Sequence, residues 1–358
     1  MLRKNLLACA ALHLLILPAF AQDSTATEEK SSPLSISGSA DAYYRYDFAK
    51  TKANNYTSFT PTHNTFALGM ASVKFDYTMG KVNAVLDLGF GPRAKDFAYT
   101  DDGITQAIKQ AYISYAPADW ISFSVGTWGT HVGYEVLDPQ ANRNYSTSYM
   151  FSNGPFGHTG VKANITKGKH GFMLGIANAT DYRVVPDDAI NRKFALAQYS
   201  LQANDNISLY VNYVGGKAPD TTISHQVDAV VTAKISDKFS IGYNGTVTGV
   251  NGWDGAKKTS SKTWWGSALY LNVDPKPWFG LTLRGEYFND ENGLKVYSGT
   301  DGGTVFATTL SANFKVGGLT FIPEFRVDNA SKDYLFVKSD GSATKTAANF
   351  LFAAVYSF

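Results

Sequence analysis

LSISGSADAYYRYD, residues 34–47, alternates along its whole length. Leu34, Ile36, Gly38, Ala40, Ala42, Tyr44 and Tyr46 fall on one side, and Ser35, Ser37, Ser39, Asp41, Tyr43, Arg45 and Asp47 on the other. Successive side chains of a strand point to opposite faces, so a period of two held this long predicts a strand with one oily and one wet face. The template recurs to the end of the chain. Val82, Ala84, Leu86, Leu88 and Phe90 oppose Asn83, Asp87 and Gly89, with Val85 as the exception. Phe279, Leu281, Leu283 and Tyr287 oppose Thr282, Arg284 and Glu286, and Leu319, Phe321, Phe325 and Val327 oppose Thr320, Glu324, Arg326 and Asp328. Strands of about ten residues are what a tilted crossing of a bilayer core requires.

Sixteen such segments start near Leu34, Phe66, Val82, Ile108, Trp120, Thr159, Gly171, Phe194, Ile207, Gln226, Phe239, Thr263, Trp278, Val305, Leu319 and Lys345. An even number lets an antiparallel ring close. Short connections built from turn formers, such as Thr78–Lys81, Asn204–Asn206 and Val316–Gly318, alternate with long polar ones over 48–65, 91–107, 129–158, 178–193, 215–225, 248–262, 289–304 and 329–344. The expected fold is therefore all-β: a closed antiparallel transmembrane β-barrel of 16 strands, with short periplasmic turns and long extracellular loops. Both termini fall on the short-turn side. The last strand ends on Phe350, Phe352, Ala354, Tyr356 and Phe358, and the outward aromatics Tyr356 and Phe358 are the expected signal to the barrel-assembly machinery. The competing reading is the last strand of a soluble sandwich. Pro323 cannot donate to a ladder, so a bulge or a local gap is expected in the fifteenth strand.

Outside the strands, Arg3 and Lys4, an apolar run from Leu6 to Phe20 and the segment Ala19-Phe20-Ala21 make up a secretory signal over residues 1–21, cleaved near Ala21. Leu6-Leu7-Ala8-Cys9 imitates a lipobox, but the apolar run would then follow the cysteine instead of preceding it. Residues 22–33 read as a flexible periplasmic leader and residues 34–358 as the barrel. Cleavage removes the only cysteine and two of the 32 basic residues, which leaves the 30 acidic ones balanced. Thiol chemistry is thereby excluded, and no basic stripe for nucleic acid remains. No apolar stretch beyond the signal reaches the roughly 18–20 residues of a spanning helix. An aromatic content of 14% against 17% charge suits a barrel with aromatic girdles facing outer-membrane lipid.

The same face assignment puts Arg45, Asp87, Asp228, Lys234, Arg284, Glu286, Glu324 and Arg326 on the lumen wall. The opposite assignment would cost roughly 2–4 kcal/mol for each Lys or Arg at the bilayer midplane. Sixteen strands enclose an aqueous channel unless something fills it. The longest connection, at about 129–158, is rich in Tyr, Phe and Met, which argues against disorder, and it is expected to fold inward and narrow the pore. A surface cap is the alternative. Its charged and aromatic members Glu135, Asp138, Arg143, Tyr145 and Tyr149 are the candidate constriction residues; Tyr145 and Tyr149 serve equally well as anchors of the loop against the wall.

Gly126-Thr127-Trp128, Gly133-Tyr134-Glu135, Asn142-x-Asn144-Tyr145-Ser146-x-Ser148-Tyr149, Gly154-Pro155-Phe156 and His158-Thr159-Gly160 together resemble the OmpL-like β-barrel porin family. Gln110–Tyr115 is similar to the strand preceding that block, and the resemblance is specific over residues 108–163. It implies an outer-membrane diffusion channel and carries the loop over as a unit, with no catalytic role.

Other chemistry is thin. His63, His131, His158, His170 and His225 read as loop or turn residues that never pair at ligand spacing, so no metal is expected. Asp187-Asp188 fits calcium or simple solvation, and a hard cation needs more oxygens than this run offers. No Gly-x-Ser-x-Gly elbow or His-Glu-x-x-His occurs, and the histidines are too scattered for a barrel lipase or protease, so neither an enzyme nor a cofactor is expected. The leading expectation is a bacterial outer-membrane porin for passive diffusion of small hydrophilic solutes and ions. A homo-oligomer follows by analogy of fold. The alternative is a sealed structural or adhesive barrel, or a subunit of an outer-membrane complex. A specific carrier would turn Tyr210 and Trp264 inward. Mixed carboxylates and guanidinia on the wall set no ion preference.

Overall fold

The computed structural model describes residues 33–185, 192–218, 222–252 and 260–358. The signal, the leader up to residue 32 and the Asp187-Asp188 pair lie outside them. Sixteen antiparallel strands close into one barrel. The ring is sealed where β1 (Leu34–Asp47) pairs with the last strand, β18 (Thr346–Ser357), from Ser39 opposite Ser357 to Asp47 opposite Asn349. Between them the chain winds through β2 (Thr65–Met79), β3 (Val82–Phe90), β4 (Ile108–Ala118), β5 (Ile121–Gly129), β6 (Gly157–Lys167), β7 (His170–Ala177), β8 (Phe194–Asn204) and β9 (Ile207–Lys217). The second half comprises β10 (Ile223–Ser236), β11 (Phe239–Asn251), β12 (Lys262–Lys276), β13 (Phe279–Asp290), β14 (Gly303–Val316) and β15 (Leu319–Ala330). A small hairpin, β16 (Phe336–Val337) and β17 (Ala343–Thr344), decorates the last loop outside the barrel ring.

The largest displacement from the expected strand starts is at β10, which begins at Ile223 rather than Gln226. Longer strands on both sides also shrink the loop expected over 215–225 to residues 218–222. Glycines at positive φ make several tight turns, as at Gly80, Gly168 and Gly317. Pro323 stays in register with Phe352 of β18, while the β14–β15 ladder lapses between Ser311–Glu324 and Phe314–Phe321 and resumes without a shift. The missing N–H leaves a local gap and no bulge.

Period-two alternation maps directly onto the two faces. Leu68, Ile113, Leu174, Leu269, Phe306, Leu310 and Phe352 are exposed on the outside, whereas Asp41, Arg45, Asp228, Arg284, Glu286 and Glu324 are buried inside. Val85, the exception in its strand, is an apolar residue buried on the inner side. No helix among the described residues is long and apolar enough to cross a membrane; the crossings are made by strands. Many of the buried apolar side chains pack against the segment 130–156. Each of four clusters includes a residue of that segment: Tyr149 and Met150 with Trp264, Tyr270 and Phe288; Phe151 and Phe156 with Phe59, Met70 and Phe97; Tyr145 with Tyr43 and Leu351; Val132 with Trp128, Met173 and Leu196. A fully buried side chain of this size contributes about 1.5–3 kcal/mol.

Candidate functional site

Because β5 ends at Gly129 and β6 starts at Gly157, and the two pair directly, residues 130–156 leave and rejoin the wall at adjacent points. They run into the lumen. A loop has no neighbouring strand for its peptide groups, and a buried amide left unpaired costs about 1–3 kcal/mol. The wall supplies the partners. Glu324 accepts the Tyr145 and Ser146 amides at 2.8 and 3.1 Å, and Glu286 accepts those of Tyr149 and Met150, both at 2.9 Å. Asp228 accepts the Gly133 amide at 3.0 Å, and Asn244 that of Tyr134 at 3.3 Å. Two guanidinium groups take the carbonyls: Arg284 donates to Ser146 and Arg326 to Thr147, each at 2.8 Å.

A short helix, α1 (Pro92–Phe97), lies in the loop after β3, and the inward loop has its own helix, α2 (Tyr149–Asn153). Ser148 caps α2 by accepting the Phe151 amide at 3.0 Å. The Ser148 amide in turn donates to Glu135 at 2.7 Å.

All five candidate constriction residues touch the wall or are packed against it. Glu135 pairs with Arg284 at 2.5 Å, and Asp138 with Lys109 at 2.5 Å. Arg143 reaches Asp274 at 2.6 Å and Thr282 at 2.9 Å. The Tyr145 hydroxyl donates to Asp41, and the Tyr149 ring lies under the Arg326 guanidinium, 5.0 Å from its centre, and stacks on Phe288. Burial pushes both tyrosine hydroxyls well above their ordinary range.

Among the expected wall residues, Arg45 pairs with Asp47 at 3.2 Å and Asp87 with Lys109 at 3.1 Å. Lys234 is the outlier: half exposed, it pairs with Asp237 of the β10–β11 turn at 2.7 Å, away from the loop. Tyr210 is half-buried, and Trp264 is buried against Phe288.

Three contributors escaped selection from the sequence. Asp41 shares the odd face of β1 with Arg45, so the alternation itself could have flagged it. A register shift between Ala40 and Ala42 exposes the Met70 amide, which donates to Asp41 at 3.0 Å. Gly69 is required beside it, since a Cβ there would lie 1.7 Å from the Asp41 carboxylate. Lys109 sits at the β3–β4 register shift and so turns inward against the local parity. Asp274, the partner of Arg143, lies near the end of β12.

The histidines correct the sequence reading. His158, His170 and His225 lie within strands, and His131 and His158 pack with ring centres 5.2 Å apart. They are brought together because Trp128 pairs with His158 across β5 and β6. The His131 Nε2 meets the Tyr213 carbonyl at 3.1 Å, and burial holds its imidazole down at about 4. No group of three or more potential metal ligands occurs among the described residues.

Cavities among the described residues lie against the loop. One, of about 300 Å³, opens at the loop end of the barrel between Asp96, Tyr99, Asn153, Gly154 and Lys295. Another, of about 10 Å³, lies between the loop and the β10–β11 wall, where Gln226, Asp228, Asn244 and Thr246 face Gly133 and Gly154.

A family model described as "Putative beta-barrel porin-2, OmpL-like" matches residues 33–358. The fold is similar to that of the anion-selective porin from Comamonas acidovorans, with a TM-score of 0.61 at 10% identity over 91% of this chain and 99% of that one. It is also similar to in-vitro folded OmpT, an outer-membrane protein of Vibrio cholerae, in its trimer form, with a TM-score of 0.60 at 11% identity over 91% and 99% of the two chains. No curated protein matches the sequence.

Proposed function

Since the chain belongs to the OmpL-like β-barrel porin family, we propose that it is a water-filled outer-membrane channel for passive diffusion of small hydrophilic solutes and ions. One observation carries this reading: the segment 130–156 lies across a barrel wide enough for an aqueous lumen, so its position decides how much of that lumen is open. In this proposal Glu135, Asp138, Arg143, Tyr145 and Tyr149 set the aperture by fixing the loop to the wall. The wall charges Arg45, Asp87, Asp228, Arg284, Glu286, Glu324 and Arg326 hold the loop or one another, and Lys234 guards the turn-side rim. Residues 1–21 direct export and are cleaved near Ala21, residues 22–33 form a periplasmic leader, and Tyr356 and Phe358 engage the barrel-assembly machinery. Assembly with further copies of the chain is proposed on the trimer form of OmpT.

A second reading, a sealed structural barrel, is favoured by the small cavity beside the loop, whose volume of about 10 Å³ holds about one water molecule. Single-channel recording of the refolded mature protein in a planar bilayer, beside a variant lacking residues 138–152, separates the two. Ohmic steps that grow on deletion support the channel. Conductance in the deletion variant alone supports a sealed barrel, and silence in both overturns the channel reading.

A further inference from the structure

The two cavities share one lining residue, Gly154. Toward β13, β15 and β1 the loop is bound to the wall by carboxylates and guanidinium groups. Toward β10 and β11 the loop is bound at Gly133 and Tyr134, by Asp228 and Asn244, but not at Gly154. The Gln226 amide donates to Thr246 at 2.9 Å, while the Gly154 amide turns back to the Met150 carbonyl at 2.9 Å. A Cβ on Gly154 would stand 3.8 Å from Gln226 Nε2, so loop and wall meet there by contact alone.

Asp228 is the only charged residue lining the narrow cavity. Its carboxylate accepts from the Gly133 amide at 3.0 Å, Asn212 Nδ2 at 2.8 Å and Asn244 Nδ2 at 2.6 Å. All three partners are donors, and the carboxylate offers them only acceptor oxygens. It forms no ion pair with a lysine, arginine or histidine among the described residues, unlike Asp87, Glu135, Asp138 and Asp328. The wide cavity carries Asp96 and Lys295, of opposite sign. The uncompensated charge therefore sits at the narrow point.

We propose that the conducting route runs through the seam between Gly154 and Gln226, and that Asp228 makes it cation-selective. This rests on the channel reading above. None of Glu135, Asp138, Arg143, Tyr145 or Tyr149 lines the seam. Those residues hold the loop, and Asp228 selects what passes it. A gap holding about one water widens for a hydrated ion by outward movement of residues 153–155, which form no hydrogen bond to the wall among the described residues.

The test is the reversal potential of the mature protein in a planar bilayer under a potassium chloride gradient, for the unmodified chain, Asp228→Asn and Gln226→Cys. The sole native cysteine, Cys9, lies in the signal. The unmodified channel should reverse on the cation side, and Asp228→Asn should lower the cation-to-anion permeability ratio several-fold. Labelling Gln226→Cys should cut conductance with either an ammonium-bearing or a sulfonate-bearing methanethiosulfonate, and only the ammonium should also reduce cation preference. Heat-modifiable migration on gels establishes that each variant is a closed barrel. Channels whose reversal potential ignores Asp228→Asn and whose conductance ignores labelling would overturn this route and leave the porin reading intact. Silence of both the unmodified chain and the loop-deleted variant would remove the porin reading, and this one with it.

Discussion

Glu135 of the inward loop and Arg284 of β13 form an ion pair of 2.5 Å whose side chains are 5% and 0% exposed. The same carboxylate accepts the Ser148 amide and the Tyr270 hydroxyl, so one acidic group ties two parts of the loop to two strands. Desolvation offsets much of the attraction in such a pair, but removing one partner strands the other, at about 3–5 kcal/mol. Glu135→Ala should therefore lower the unfolding free energy of the refolded barrel by that order, read as an earlier urea midpoint, and make single-channel current noisier. Glu135→Gln combined with Arg284→Met should recover part of the loss. A midpoint that does not move with Glu135→Ala would show that water already reaches Arg284.

Gly69→Ala should act at a distance. Its new Cβ would fall 1.7 Å from the Asp41 carboxylate, which has to withdraw from Tyr145. Overpacking of this kind costs about 1–3 kcal/mol. Tyr145→Phe removes the other half of the contact, so the two substitutions should be clearly less than additive in a double-mutant cycle. Simple additivity would mean that Gly69 serves the strand and not the loop.

Arg326→Lys tests whether planarity matters. The guanidinium donates to Asp328 through Nε at 2.9 Å and to the Thr147 carbonyl through Nη1 at 2.8 Å, while covering the Tyr149 ring. An ammonium cannot make those contacts at once. We expect a loss of about 1–3 kcal/mol, from the buried Thr147 carbonyl left unpaired, measured by the same urea titration. An unperturbed Arg326→Lys barrel would speak against the clamp.

Acid should loosen the loop at its root. Burial holds His131 at about 4, below its ordinary value of 6.5, helped by Lys162 and opposed by the Tyr213 carbonyl. The unfolded chain therefore binds the proton first. Stability conferred by the neutral ring is complete above pH 6.5 and is lost as pH falls toward 4, by about 3 kcal/mol in all. Thermal denaturation at pH 7 and pH 4.5 should show this drop, and His131→Asn should flatten it. An equal pH response in that variant would assign the effect to other groups.

Much of this was legible in the alternation of residues. Period two identified the strands, sorted Arg284, Glu286, Glu324 and Arg326 to the inside, and left Val85 and Pro323 as the places where a strand departs from rule. The inward loop could be read from its length and its aromatic content. Lys109 could not, because parity breaks at a register shift and nothing local marks the shift between Asp87 and Leu88. The His131–His158 contact was invisible for a different reason: it depends on β5 and β6 pairing directly, which brings together the two ends of a long segment. The partners of Glu135 and Tyr145 are set by where the ring closes, a global property that no local pattern encodes.

Tyr145 holds β1 through Asp41 and β15 through Glu324, and β18 lies paired between those two strands. The tyrosine therefore bridges, from within, the joint at which the ring closes. That imposes a chronology on biogenesis. Asp41 is made early and Glu324 near the end, and the two come within reach of one residue only when the last strand has docked. Until then Tyr145 cannot reach both, and its segment is latched on one side at most and more open to proteolysis. Its latching is a late event that reports a finished ring, so a protease-resistant loop and a closed barrel should appear in the same step.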